Sequence, residues 1–108
     1  MPDDSNETWL IEEGAQVAER AAAAGGYASL TLREQFVRCL WAADYGMRNA
    51  GDLTTAADVY PDFLKDGRAA AQTLGLPQST AAFSLSVEQL EARYFAVFDG
   101  VIDEVRAL

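Results

Sequence analysis

Apolar residues recur at helical spacing along almost the whole chain, and no useful stretch alternates apolar and polar positions as a half-buried strand would. The first helical face consists of Leu10, Gly14, Val17, Ala18 and Ala21. Asp4, with Glu7 three residues later, has the form of a capping box, so we expect this helix to begin near Asp4 or Ser5. The glycine pair 25–26 ends it, because glycine readily adopts the left-handed conformation beyond a helix C-terminus.

A second helix is predicted to begin at Thr31, which forms a capping box with Glu34. Its apolar face consists of Phe36, Val37, Leu40, Trp41 and Met47. Asp44 lies within that face, and Gly51 is expected to end the helix.

Two shorter helices are predicted next. Asp52 is the expected N-cap of a helix over 53–60, and Pro61 should then interrupt the chain or restart it as a new helix. The inward residues of the restarted helix are Phe63, Leu64, Ala71 and Leu74. Residues 75–77 form a strong stop, after which we expect a loop or a short helical turn over 78–85.

The last helix has the clearest signal, with Ser86 as N-cap and Gln89 completing a capping box. Its apolar set is Leu90, Tyr94, Phe95, Phe98, Val101, Ile102 and Val105. That set is wider than one stripe, so this helix is either central to the fold or faces a second subunit in part. The sequence therefore predicts an all-α fold, an irregular bundle of four to five helices in a single domain over 1–108.

Charge and composition narrow the function mainly by exclusion. The chain has 17 Asp and Glu, 8 Lys and Arg, no histidine and a net charge of −9. Without histidine, Ser-His-Asp and Cys-His catalysis and histidine-ligated zinc are excluded. The negative field excludes direct nucleic-acid binding through a basic surface. We expect neither enzymatic activity nor a cofactor.

We expect neither a secretory signal peptide nor a membrane span. The first residues are acidic, unlike the basic start of a signal peptide, and no apolar run approaches the roughly 20 residues needed to cross a bilayer. Cys39 is the only cysteine, so no intrachain disulfide can form, and we expect it to be a small packed side chain. A cytoplasmic location without membrane contact is the expectation.

One row of carboxylates is a candidate partner-binding site. Asp58, Asp62 and Asp66 are spaced i, i+4 and i+8, and a helix continuous through Pro61 would align them about 6 Å apart, like the charges of a nucleic-acid backbone. Tyr60 lies among them as an aromatic anchor. The alternatives are a solvated helix face with capping carboxylates for the row and a core position for Tyr60. The spacing matches no calcium loop, so we expect no metal.

Asp44 is the second candidate. A lone carboxylate on an apolar face is costly to bury, so it requires a partner, and Arg48 lies one helical turn away. The structural interpretation is an ion pair between the two side chains. The functional alternative is that Asp44 belongs to an interface or to the core of a site.

Several segments, taken in order, resemble a family of small, acidic, all-helical bacterial proteins, one of which is described as a DNA mimic. These segments are Leu30-Thr31-x-x-Glu34, Met47-Arg48-Asn49-Ala50-Gly51, Leu74-Gly75-Leu76 and Leu90-Glu91-Ala92-Arg93-Tyr94-Phe95. The family has a hydrophobic-x-Asn-Gly-Gly-aromatic signature at a helix end, onto which Asn49 and Gly51 carry over directly. Ala50 replaces the first glycine, Asp52 the aromatic residue, and Gly46 an acid before the hydrophobic position.

The resemblance implies a protein that occupies the DNA-binding surface of a regulatory protein, often as a dimer. The sequence expectation is thus a non-enzymatic, acidic interaction domain with a basic partner, through Asp44, Asn49, Gly51 and the row around Tyr60. Two alternatives remain open. One is an immunity-type inhibitor of a bacterial toxin, and the other is a structural domain that dimerises through its C-terminal helix.

Overall fold

A computed structural model describes residues 5–108, apart from the side chain of Ala24. This part of the chain contains six α-helices and no strand, which confirms the all-α class and corrects the predicted number of four to five helices. The helices are α1 (Asn6–Ala24), α2 (Leu32–Asn49), α3 (Leu53–Val59), α4 (Phe63–Leu74), α5 (Pro77–Phe83) and α6 (Val87–Arg106). A short 3₁₀ helix, Tyr27–Ser29, connects α1 to α2.

Local capping signals fix most of the helix ends. The capping boxes at Thr31 and Ser86 are both present, each with the N-cap hydroxyl accepting from the backbone N–H three residues on. At α1 the N-cap is Ser5, whose hydroxyl accepts from the Thr8 N–H. The predicted capping residue Asp4 lies outside the described residues. Gly25 ends α1 with φ +100°, as predicted.

Helix α5 is the element that the sequence pattern underestimates. Residues 78–85 were expected to form a loop or a short turn, whereas Pro77–Phe83 is a seven-residue helix with proline in its first turn. Its N-cap, Leu76, has no side chain that could accept a hydrogen bond. The carboxylate of Glu104 on α6 accepts instead from the N–H groups of Gln78 and Ser79, at 2.9 and 2.8 Å.

Helix α2 lies at the centre of the bundle and packs against α1, α3, α4 and α6. It runs antiparallel to α1, since Glu7 pairs with Arg48 near one end and Arg20 with Glu34 near the other. The two helices approach closely at Gly14, where an added Cβ would lie 2.1 Å from Cδ1 of Trp41. The Cα radius of gyration, 12.6 Å, is close to the roughly 13 Å typical of one domain of this length. No described helix is both long and apolar enough to cross a membrane.

Candidate functional site

The Asp44 carboxylate is buried and fully paired. Only 4% of Asp44 is exposed, and the Arg48 Nε–H donates to both carboxylate oxygens, at 3.0 and 3.1 Å. The predicted ion pair is therefore confirmed. The Tyr94 hydroxyl on α6 also donates to Oδ1 at 2.6 Å. Burial raises the pKa of Asp44 above its ordinary value, while the Tyr94 hydrogen bond and the Arg48 charge oppose that rise.

Arg48 connects this buried carboxylate to an exposed apolar surface. Its guanidinium lies 5.0 Å from the ring centre of Phe95 and contacts Glu7 at 3.5 Å. It also borders a hollow of about 320 Å³ between α1 and α2, which Ile11 and Tyr45 line. We call the set Glu7, Ile11, Tyr45, Arg48 and Phe95 the Phe95 face.

Three of the five exposed large apolar side chains of the described chain belong to the Phe95 face. Ile11 is 50% exposed, Tyr45 42% and Phe95 55%. Phe95 was predicted as part of the apolar set of the last helix, but it points away from the core, unlike the other six members of that set. Ile11 and Tyr45 share one hollow, and Phe95 joins them through the Arg48 guanidinium.

Carboxylates border this patch. Phe95 has Glu91 one turn before it and Asp99 one turn after it on α6. Glu7 approaches from α1, where the neighbouring Asn6 amide donates to Asp99 at 3.0 Å. The Phe95 face thus combines an apolar centre with a negative rim, and Arg48 is neutralised within it by Asp44 and Glu7.

The row of Asp58, Asp62 and Asp66 does not lie on one helix. Helix α3 ends at Val59 and α4 begins at Phe63, because Pro61 lacks an N–H and holds Tyr60 in an extended conformation, with φ −152° and ψ 98°. The 6 Å alignment required a continuous helix, so it is absent. Asp58 and Asp62 are exposed, whereas Asp66 is half-buried.

Tyr60 is held inside the fold. It is half-buried, and its hydroxyl donates to Oδ2 of Asp66 at 2.5 Å. Its ring packs against that of Tyr27, with centres 5.4 Å apart. Burial and the hydrogen bond to Asp66 raise the pKa of Tyr60, so its hydroxyl stays neutral at pH 7. An anchor in this position would have less surface to offer a partner than Phe95 has.

The residues taken from the family signature have different settings. Asn49 is exposed at the edge of the Phe95 face, and its amide donates to the Tyr45 carbonyl at 2.9 Å. Gly51 has φ +75° and turns the chain out of α2. The structure thus brings Asp44 and Asn49 together around one hollow, apart from the row near Tyr60.

A second hollow contains an unusual arginine. It measures about 320 Å³ and is lined by Ala18, Ala21 and Ala22 of α1, together with Tyr27, Arg38 and Tyr60. The Arg38 guanidinium lies 5.4 Å from the ring centre of Trp41 and 5.4 Å from that of Tyr60. Its Nη1 is buried without a hydrogen-bond partner among the described residues. An unsatisfied buried donor of this kind costs about 1–3 kcal/mol. We call this hollow the Arg38 pocket.

The only thiol of the chain is part of the core. Cys39 is fully buried, and burial raises the pKa of its thiol to about 12, so it is a packed side chain as expected. No group of three or more metal-ligating side chains occurs within residues 5–108.

Several carboxylates accept hydrogen bonds from the first turns of neighbouring helices. Glu91 accepts from the Leu53 N–H at 2.8 Å, as Glu104 does at α5.

The chain was compared with protein-family models, with curated proteins and with solved structures. None of the three comparisons gives a match. The similarity to the acidic DNA-mimic family therefore rests on the short segments of the sequence alone.

Sequence reasoning missed two features of these sites. The apolar set of α6 is wider than one stripe, which indicated that part of it faces outward, but the spacing did not show that Phe95 is the exposed member. The setting of Arg38 was not predictable from nearby residues alone. Trp41 lies one turn away on the same helix, but Tyr60 comes from beyond α3.

Proposed function

We propose that this protein is a non-enzymatic interaction domain whose Phe95 face binds a basic protein partner. The observation that carries the proposal is the exposure of three large apolar side chains around Arg48: Ile11 and Tyr45 line the hollow that Arg48 borders, and Phe95 stacks on the Arg48 guanidinium. Exposed aromatic residues supply affinity when a partner covers them, and the surrounding charge supplies rate and selectivity.

Charge favours a basic partner over a second copy of the chain. Each copy has a net charge of −9, so a homodimer through α6 would bring two strongly negative surfaces together. A basic surface gains attraction from the same carboxylates, and DNA-binding proteins have such surfaces. The family resemblance adds a more specific proposal, that the partner is a DNA-binding regulator. The exposed Asp58 and Asp62 extend the negative field beyond the Phe95 face.

The test is affinity capture from host-cell lysate with the intact protein and matched variants. Phe95→Ser removes the centre of the face, and Val87→Ser removes a similarly exposed apolar side chain, 41% exposed, from the first turn of α6. We expect Phe95→Ser to lose the captured partner and Val87→Ser to retain it. Phe95 is a central aromatic residue, so we expect a loss of about tenfold or more in affinity.

The purified partner then distinguishes DNA mimicry from inhibition of a toxin. Mimicry predicts that duplex DNA displaces this protein from its partner and that the affinity falls steeply with salt. A captured toxin enzyme whose active site is blocked, with no competition by DNA, would instead establish the immunity alternative. Retention of the partner by Phe95→Ser would contradict the assignment of the Phe95 face. Asp58→Lys with Asp62→Lys tests whether these two carboxylates contribute.

A further inference from the structure

The Arg38 pocket has an organisation that the proposed partner binding does not explain. It lies near the C-terminal end of α1, whereas the hollow of the Phe95 face lies near the N-terminal end of that helix. Its α1 wall consists of alanines, and its far wall of two tyrosine rings. Its volume, about 320 Å³, falls in the lower range of small-ligand sites.

Arg38 is oriented for recognition instead of for an internal ion pair. The structure shows no carboxylate within ion-pair distance of its guanidinium among the described residues. Trp41 and Tyr60 hold the guanidinium from two ring faces, so its rotamer freedom is already restricted before a ligand arrives. Nη1 itself is buried, so a ligand would reach Arg38 through the part of the side chain that lines the pocket.

We propose that the Arg38 pocket binds a small organic monocarboxylate, with the carboxylate paired to Arg38 and a flat apolar body against the alanines of α1. The planar guanidinium fork matches a carboxylate through two parallel hydrogen bonds. Tyr27 contributes an apolar ring to the pocket wall, because its hydroxyl accepts from the fully buried Cys39 thiol at 4.0 Å. Burial raises the pKa of Tyr27, so this ring adds no negative charge at pH 7.

Charge selects a monoanion over a dianion. Among residues 5–108, Arg38 is the one cationic residue that lines the pocket, and the lining residue Tyr60 donates to the Asp66 carboxylate. A phosphate dianion would leave one charge uncompensated beside that carboxylate, in a chain that is already strongly negative. A carboxylate on an aromatic or aliphatic body also uses the apolar walls, which inorganic anions do not.

The test is an NMR titration of the ¹⁵N-labelled, full-length protein with sodium benzoate, with benzamide as the uncharged analogue of the same shape. We expect benzoate to shift the Arg38 Nε–H and Gly26 N–H signals with a Kd of about 1 mM or tighter. Benzamide should bind at least about tenfold more weakly, since it lacks the charge-assisted pair. Equal affinity for the two probes would overturn the proposal, as would saturation by inorganic phosphate at lower concentrations than by benzoate.

Variants assign the binding to this pocket. Arg38→Gln should raise the benzoate Kd at least about tenfold, whereas Arg68→Gln, at an exposed arginine of α4, should leave it within about twofold. Ala22→Leu fills part of the pocket from the α1 wall and leaves Arg38 unchanged, and it should weaken binding even if Arg38→Gln folds poorly. Unchanged benzoate affinity in Ala22→Leu and in a folded Arg38→Gln would refute the site. Phe95→Ser should leave benzoate binding unaltered, so this test is separable from the partner-binding proposal.

Discussion

Two arginines of α2 show how neighbours decide the role of a residue type. Arg38 and Arg48 both stack on aromatic rings, Trp41 and Tyr60 in one case and Phe95 in the other. Arg48 compensates the buried Asp44, so its charge is used within the fold. Arg38 has no paired carboxylate among the described residues and lines a hollow, so in our proposal its charge binds an external group. The two arginines differ because Asp44 lies one turn before Arg48, whereas no carboxylate among the described residues pairs with Arg38.

The Asp44–Arg48 pair yields a prediction at this scale. Arg48→Met leaves Asp44 buried with Tyr94 as its remaining partner, so we expect the pKa of Asp44 to rise further above its ordinary value. The folded variant then holds a proton that the unfolded chain releases above about pH 4. Its stability deficit should therefore be small near pH 4 and grow toward pH 7. We expect about 1–3 kcal/mol at pH 7, below the range for fully buried pairs because Arg48 is partly exposed.

Urea unfolding of the wild type and Arg48→Met between pH 4 and 7 measures this deficit, and the ¹³C shift of the Asp44 carboxyl reports its protonation directly. The double variant Asp44→Asn/Arg48→Met is the matched control, because it removes the titrating group. If the deficit of Arg48→Met stayed constant with pH, the titration of Asp44 would not be its cause.

At the scale of helices, close approach between elements depends on particular glycines. Gly46 lies inside α2 where α3 crosses it, and an added Cβ would lie 2.6 Å from the Asp52 carbonyl oxygen and 2.7 Å from the Ala56 nitrogen. Both of these are backbone atoms, so they can give way only if α3 moves as a unit. Gly100 in α6 differs, since an added Cβ there meets only the flexible amide end of Gln78.

Gly46→Ala should therefore destabilise the fold by about 1–3 kcal/mol through overpacking, despite the better helix propensity of alanine. Gly100→Ala is the matched control, and it should be neutral or stabilise by up to about 1 kcal/mol, because Gln78 can rotate away. Chemical denaturation of both variants gives the comparison. A Gly46→Ala protein as stable as Gly100→Ala would show that α3 can shift away from α2 at little cost.

At the scale of the whole molecule, the net charge of −9 acts on stability as well as on binding. Five exposed carboxylates have no side-chain hydrogen bond or ion pair among the described residues: Glu12, Glu19, Asp58, Asp62 and Glu88. Their repulsion from the rest of the negative surface opposes the compact state. Salt weakens this repulsion, because the Debye length falls from about 30 Å at 0.01 M to about 10 Å at 0.1 M.

We expect the Tm of the wild type to rise by a few degrees when NaCl is raised from about 10 mM to about 150 mM, since 1 kcal/mol corresponds to roughly 4 °C or more in a chain of this size. Neutralising four of these carboxylates with Glu12→Gln, Glu19→Gln, Asp58→Asn and Asp62→Asn should raise the low-salt Tm and reduce the salt response. Differential scanning calorimetry at both salt concentrations measures the Tm of the wild type and of the variant. An equal salt response in the two proteins would mean that these carboxylates do not contribute to the repulsion.

The sequence by itself determined what depends on neighbouring residues. Helix ends at Thr31 and Ser86 follow from side chains three residues apart, and the Asp44–Arg48 pair follows from one helical turn. The interruption at Pro61 is equally local, because proline restricts its own backbone and that of the residue before it.

The tertiary structure alone decided what depends on residues distant along the chain. Helix α5 is capped by Glu104, 25 residues beyond Ser79, and Asp44 bonds to Tyr94, 50 residues away. The exposure of Phe95 and the unsatisfied nitrogen of Arg38 are likewise results of packing between helices. Periodicity shows which side of a helix is apolar, but the helices packed around it decide which of those side chains remain uncovered.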